Sequence, residues 1–499
     1  SNATVTINPA LAISPATTTL VVYNAVTFSA TDGVEPYSYS VTQGAGNVNS
    51  SSGLYTAPST AETGKVRVTD SLGNTSNATI TVIEPANTVT GAAHTCVRFS
   101  SGAVKCWGGN TYGQLGLGDT NARGDAAGEI GDNLSTVSLG SGRTATAIVA
   151  GSNHTCALLD NSTVKCWGLN DKGQLGQGSA DSLGDVAGEM GDSLNAVSLG
   201  SGRTATAIAA GDKHTCALLD DGSVKCWGYN VLGALGLGDT SDRGDGAGEM
   251  GDNLSAVSLG SGRTATAIAA GDFHTCALLD NGSMKCWGGN SSGQLGFGDM
   301  DARGDAAGEM GDNLPVVDLG SGLSASSIAT GQSHTCARLN NNNVKCWGGN
   351  TFGQLGLGDT NARGDAAGEM GDNLAAIALG SGRTALAIST SASTVCVRLD
   401  NSSVKCWGDN TYGQLGLSDT SARGDAADEM GDNLSIVQLG TSRTATGIAS
   451  GGSHSCAVLD NKTVKCWGRN NVGQLGLGDT DARGDAVGEM GDLLTSISL

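Results

Sequence analysis

The chain has 499 residues, a formal net charge of −21, and 79 glycines against six prolines. About one glycine in six without a Gly-X-Y period is not collagen, and 38 % hydrophobic content is too apolar for a disordered chain. No apolar run approaches the ~18–20 residues that span a membrane, and the negative charge disfavours nucleic-acid backbones and anionic lipid surfaces.

Ser1-Asn2-Ala3 reads as a tag remnant, so the start of the chain is silent about any native export signal. The first 85 residues hold five of the six prolines, only six glycines, and no Cys or Trp. This shift sets a domain boundary near Glu84-Pro85. Within 4–84, "TLVVYNAVTFSA", "YSYSVTQG", "GKVRVTD" and "ATITVIE" alternate apolar and polar residues between turn signals. Such short period-2 runs predict a β-sandwich. The motifs "GLYTAP" and "VRVTDSLGNT" resemble the immunoglobulin-like domains strung along bacterial surface proteins. That resemblance implies a spacer or stalk.

From residue 85 onward a 60-residue period repeats seven times. It places the cysteines in seven pairs: Cys96 and Cys106, Cys156 and Cys166, Cys216 and Cys226, Cys276 and Cys286, Cys336 and Cys346, Cys396 and Cys406, Cys456 and Cys466. Each second cysteine precedes a tryptophan, as in Cys286-Trp287. Four strands are predicted per repeat. In repeat four they are "ATAIAA", the hairpin of "HTCALLD" and "SMKCWG" around Asp280-Asn281-Gly282, and "LPVVDLG". Seven such units predict a seven-bladed β-propeller over 85–499. The last repeat ends at Leu499 without a following inner strand, whereas a spare one stands near 87–91. That strand is expected to complete the last blade and close the ring. The fold class is therefore all-β, an immunoglobulin-like sandwich followed by a propeller.

The stretch "HTCALLDNGSMKCWGGNSSGQLGFGD" resembles the repeat of the regulator of chromosome condensation family, with its Trp-Gly-x-Asn turn and Gly-Gln-Leu-Gly. The glutamine recurs in every repeat except the third, which has Ala234. Members of that family form seven-bladed propellers. One uses a protruding wedge for nucleotide exchange, for which the exact period leaves no insertion. A secreted bacterial member inhibits β-lactamase through one propeller face.

Each hairpin carries a cysteine on both strands, symmetric about its turn. Facing cysteines in simple hairpin register lie within disulfide range. Seven disulfides, each closing about 11 residues, would each stabilise by ~2.8 kcal/mol in the chain-entropy treatment. Free thiols and zinc remain alternatives, although Thr394 breaks the His-x-Cys pattern in repeat six. Disulfides would imply an extracellular, cell-surface or periplasmic location.

An acidic loop recurs in every repeat, with Asp119, Asp125, Glu129 and Asp132 in the first. Oxygen ligands at this density could hold calcium, but the spacing is neither that of an EF-hand loop nor the nonapeptide of calcium-binding β-rolls, and turn-making with Arg pairing is the favoured reading. Arg-Gly-Asp, as at Arg123-Gly124-Asp125, falls inside this loop and is explained by the turn. The tryptophans are expected to pack between blades, and the histidines to be satisfied strand residues. No catalytic constellation, cofactor motif or metal set is distinguished from its copies.

Variation concentrates in the turns after Trp-Gly and in the pair before His, such as Asp212-Lys213 and Asp272-Phe273. Equivalent turns share one rim, so Tyr112, Lys172, Tyr229, Leu232, Phe352, Tyr412 and Arg469 are the candidate binding residues. The expected function is a non-enzymatic extracellular or surface binding module of a bacterium, recognising a protein or glycan. The alternative is a secreted protein inhibitor of an extracellular enzyme.

Overall fold

The computed structural model describes residues 10–499, so Ser1-Asn2-Ala3, read above as a tag remnant, and the start of the predicted sandwich lie outside the described residues. The chain divides into a smaller unit ending at Ala86, with Phe99–Ser101, and a larger unit of Asn87–Arg98 and Gly102–Leu499. The division falls two residues after the boundary read from composition.

The smaller unit is built from three small sheets. In the largest, Thr17–Val21 runs parallel to Thr75–Ile83, followed by Glu62–Thr69 and Ser38–Gln43. The alternation read from the sequence is real here: Val66, Val68, Ile80 and Val82 face inward while their neighbours face out. Leu20 and Tyr55 from other strands, and Phe28 between two of them, join the same core.

The larger unit consists of seven three-stranded antiparallel sheets, one per repeat. In repeat four these are Ala265–Ala270, His274–Leu279 and Met284–Gly288. Gly282 at the hairpin turn has φ +79°, the left-handed conformation that a three-residue hairpin loop needs. The register sets Cys276 opposite Cys286, and these two are joined by a disulfide. The other six hairpins repeat it: Cys96 is bridged to Cys106, Cys156 to Cys166 and Cys216 to Cys226. Likewise Cys336 is bridged to Cys346, Cys396 to Cys406 and Cys456 to Cys466. All fourteen cysteines are thereby used, and the free-thiol and zinc alternatives fall away. Because facing residues share a side of the sheet, Trp287 beside Cys286 points the other way, into the preceding repeat.

Two expectations are corrected. The fourth strand is not a ladder: segment 314–320 is tied to its sheet by one backbone bond, Val317 N to Met284 O at 2.8 Å. Buried Leu314, Val317 and Leu319 hold the rest of the segment through side chains. Nor does the strand near 87–91 complete the last sheet. Pro85–Thr90 is the inner strand of the first sheet, beside His94–Phe99, and Ala445–Ser450 already fills that place in the last. Among the described residues no strand is shared between first and last sheets. They meet instead through the contacts that join other neighbouring pairs, such as Trp107 Nε1 to Gln474 O and Gly478 N to Gly124 O.

The core lies between adjacent sheets. Trp287 packs with Leu218, Leu235 and Val257 of repeat three and with Ala277 and Leu279 of its own. All seven tryptophans are fully buried in equivalent places. Burying a side chain of this size is worth several kcal/mol per junction.

Candidate functional site

The repeat frame absorbs most of the chemistry-bearing residues. Trp287 Nε1 donates to Ala234 O of the preceding repeat at 3.0 Å, and Trp107 Nε1 donates to Gln474 O at 3.1 Å across the first–last junction. Thr335 Oγ1 donates to Gln294 O at 2.9 Å, and His274 Nε2 lies 2.9 Å from that same hydroxyl. A threonine hydroxyl has one proton, and here it goes to the carbonyl. His274 must therefore donate through Nε2. Its Nδ1 faces the chain at Gly271, where an added Cβ would lie 2.5 Å from His274 Cε1 and 2.4 Å from Gly331 O. Glycine is required there by close approach, and repeat six, which lacks the histidine, has Ser391 and Thr394 in the two places.

Five of the six histidines are thus at most half satisfied, contrary to expectation. Nδ1 of His94, His154, His274 and His454 has no partner among the described residues, and His334 lacks one at both nitrogens because Val395 stands where the threonine belongs. Burial pushes these rings down, His274 to about 3 and His334 to about 4. They are neutral frame residues, not proton carriers at neutral pH.

Most of the loop acids are likewise committed, although Asp305 Oδ1 and Asp365 Oδ1 are buried without a partner among the described residues. Arg123 Nη2 bonds Asp119 Oδ2 at 2.6 Å, and its other nitrogen donates to the carbonyls of Asn121 and Ala122. Glu129 Oε2 accepts from Gly124 N and Ala126 N at 2.9 and 3.0 Å. Asp312, the counterpart of Asp132, accepts Ser261 N of the preceding repeat at 2.8 Å. Among the described residues no group of three or more His, Cys, Asp or Glu side chains is arranged to hold a metal ion. The Arg-Gly-Asp arginine is engaged within its own turn.

The lysine before each second cysteine had no role in the sequence reading. Lys285 is buried and donates through Nζ to Gly311 O at 2.7 Å, anchoring the short 3-10 turn Gly311–Asn313. Burial lowers its pKa, against the nearby charge of Asp312.

The variable positions come together across the junctions. Lys172 Nζ stands 5.3 Å from the Tyr229 ring centroid of the next repeat, and the Arg469 guanidinium 4.9 Å from that of Tyr412. Leu232 meets Gly289: a Cβ there would lie 3.0 Å from Leu232 Cδ1 and 3.4 Å from Phe273 Cβ. Tyr229 and Phe273 make an edge-to-face pair at 6.3 Å. Burial lowers Lys213, but Asp171 at 2.7 Å, then Asp212 and Tyr112, outweigh it and hold the ammonium above the ordinary lysine value. Tyr112, Lys172, Tyr229 and Leu232 therefore belong to one patch over repeats one to four, to which the structure adds Phe273 and Lys213. Tyr412 and Arg469 form a second, separate contact, and Phe352 stands exposed.

The loops that carry Lys213 and Phe273 also line a cavity of about 270 Å³ formed by the inner loops of all seven repeats. Its lining is Gly, Ala, Ser and Thr except for Asp212 and Asp272. Burial, then the charge of Asp212, pushes Asp272 up to about 7, against a hydrogen bond from Gln332.

The regulator of chromosome condensation (RCC1) repeat matches at 87–114, 145–174, 205–234, 265–294, 325–354, 386–414 and 445–474, once in each sheet. The chain carries seven RCC1 repeats. The ultraviolet-B receptor UVR8 of Arabidopsis thaliana is 28 % identical over 398 residues, spanning 78 % of this chain and 78 % of that protein. The human E3 ubiquitin-protein ligase HERC2 is 27 % identical over 62 % of this chain, which matches 6 % of that protein. Yeast RCC1 (Prp20), solved bound to Kap60, superposes with a TM-score of 0.56 at 21 % identity, over 81 % of this chain and 84 % of that one. A second Prp20p structure, from Saccharomyces cerevisiae and described with its binding to Gsp1p and histones, gives 0.54 at 20 % identity, over 83 % and 87 %. These findings support an RCC1-like propeller, a type of protein-binding module. Among the RCC1 repeats, Asp212, Asp272 and Phe273 break the frame in the pair before His; the sequence marked that pair as variable, but not that two neighbouring repeats bring it to one mouth.

Proposed function

We propose that the variable rim of the propeller is a protein-binding face, presented outside the cytosol by a bacterial surface or secreted protein. The observation that carries this reading is the division of labour between frame and rim. Trp and Thr are fastened between repeats, and Lys and most of the loop acids within them, while the residues that differ between repeats adjoin one another on the rim. Aromatic and arginine side chains backed by a rigid frame are what binding hot spots are made of. The seven disulfides support a non-cytosolic location. In this reading the N-terminal all-β unit is an immunoglobulin-like spacer, and binding needs no chemical step.

The test is binding of the purified chain to arrays of extracellular proteins and glycans, repeated with the double variants Tyr229→Ala with Leu232→Ala and Tyr412→Ala with Arg469→Ala. A protein ligand lost with either pair supports the face. Ligands that bind all variants equally reject it. A ligand that is an enzyme and loses activity on binding would make the protein an inhibitor. Glycan binding alone would overturn the protein assignment.

A further inference from the structure

The axial cavity breaks the sevenfold frame at three adjacent positions. The residue after the inner-strand glycine or serine is Ala92, Ser152, Ala392 and Gly452 in four repeats, but Asp212, Asp272 and Gln332 in consecutive repeats three to five. Asp212 and Asp272 are the only charged residues among those lining the cavity. Gln332 bonds Asp272, so one carboxylate is oriented rather than free. The rim lysines beside them are engaged elsewhere. Lys213 Nζ is 2.7 Å from Asp171 Oδ2, and Lys172 Nζ is 3.6 Å from Asp242 Oδ2. Two acidic side chains thus face a concave space whose walls supply no cation.

The surroundings narrow what fits. The mouth, about 270 Å³, shares Thr90, Ala150, Ala210, Ala270, Thr330 and Ser450 with a second axial cavity of about 360 Å³, which leaves room for one long side chain. Its border on one side is the patch of Tyr229, Leu232 and Phe273, because Lys213 and Phe273 directly follow the two aspartates. A partner seated on that patch holds its surface loops over the mouth. The larger unit carries −18 of the net charge, which favours a basic partner from a distance.

We propose that a protein partner docks over repeats one to four and places a lysine or arginine side chain in the axial mouth, between Asp212 and Asp272. The inference rests on the rim reading and deepens it. The aromatic patch supplies the apolar anchor, and the mouth selects a basic residue at the centre of the epitope. Asp171 and Asp242 keep the rim lysines from competing for the mouth.

The experiment is selection of a randomised, disulfide-cyclised heptapeptide phage library on the full chain, followed by affinity measurement of individual synthetic peptides. The double variant Asp212→Asn with Asp272→Asn keeps shape and hydrogen bonding and removes two facing charges, so it folds at least as well as the wild type; its melting midpoint checks this. The expected result is peptides with a Lys or Arg that norleucine cannot replace, weakened about 30-fold or more by the Asn pair and also weakened by Tyr229→Ala with Leu232→Ala. Peptides weakened by the rim pair but indifferent to the Asn pair overturn the mouth and leave the rim reading standing. Peptides indifferent to both pairs, or no selected peptide at all, overturn both.

Discussion

Replacing Val395 with threonine should stabilise the protein. His334 is the buried histidine whose two ring nitrogens both lack partners, and Val395 occupies the position that is Thr335 and Thr275 in the preceding repeats. In those repeats the hydroxyl sits 2.9 Å from the histidine Nε2 and donates at 2.9 Å to the carbonyl of the residue before Leu in the Gly-x-Leu-Gly turn. Gln354 O, already accepting Trp407 Nε1 at 3.0 Å, is the equivalent carbonyl and has a second lone pair. Relieving a buried, unpaired N–H is worth about 1–3 kcal/mol, and the second hydrogen bond adds about 0.5–1.5. Exchanging a buried methyl for a hydroxyl costs about 1 kcal/mol of apolar burial. The net gain is about 0.5–3.5 kcal/mol, or a rise in melting midpoint of about 1–5 °C. Tryptophan fluorescence during thermal unfolding reads it directly, since every tryptophan is buried at a junction. Thr275→Val, the reverse change, should lower the midpoint by a similar amount. A Val395→Thr midpoint at or below wild type, together with a silent Thr275→Val, would refute the assignment of Nε2 as donor and the junction network built on it.

Four further outcomes are expected. The six buried histidines have folded pKa values of about 3 to 4, below the ordinary 6.5, so their contribution is fully present above pH 6.5 and is lost as pH falls toward 4. Each contributes up to ~1.4 kcal/mol per pH unit; Asp272, raised to about 7, works in the opposite sense but is one group against six. A melting midpoint that holds flat from pH 6.5 to 4.5 would contradict this. Lys285→Met should cost about 2–3 kcal/mol, measured by urea titration, because Gly311 O loses its buried ammonium donor. Intact mass after denaturing alkylation should show no modified cysteine without reductant and fourteen with it; removing one bridge by Cys276→Ala with Cys286→Ala should lower stability by about 2–4 kcal/mol. Chelator should leave the midpoint within about 1 °C, as most loop carboxylates are already held by Arg123-type cations and backbone N–H groups; a larger drop would reinstate calcium at the acidic loops.

Much of the architecture was legible because its determinants are local. Cys276 and Cys286 face each other across a turn centred on Asn281, so counting outward from the turn gives the register and hence the bridge. The same count sends Trp287 to the opposite side. The rim was legible only as a set of positions. That Lys172 would reach Tyr229, or that Phe273 would pair with Tyr229, depends on residues some 40 to 60 apart meeting over a junction. The lysine anchors and the half-satisfied histidines escaped because a strictly repeated polar residue looks alike whether it is bonded or bare.

The sequence by itself determined the period, the seven hairpins, which cysteines face each other and the change of character near residue 85, since each follows from spacing along the chain. Tertiary structure decided what spacing leaves open. A cyclic repeat can be cut anywhere, so the period could not say whether Pro85–Thr90 belongs to the first sheet or the last; hydrogen bonding to His94–Phe99 puts it in the first. Segment 314–320 reads as a strand by alternation, yet burial of Leu314, Val317 and Leu319 holds it with a single backbone bond. The meeting of Asp212, Asp272 and Gln332 depends on the rotation from one sheet to the next, which brings every sixtieth residue to a common axis and which no single repeat encodes.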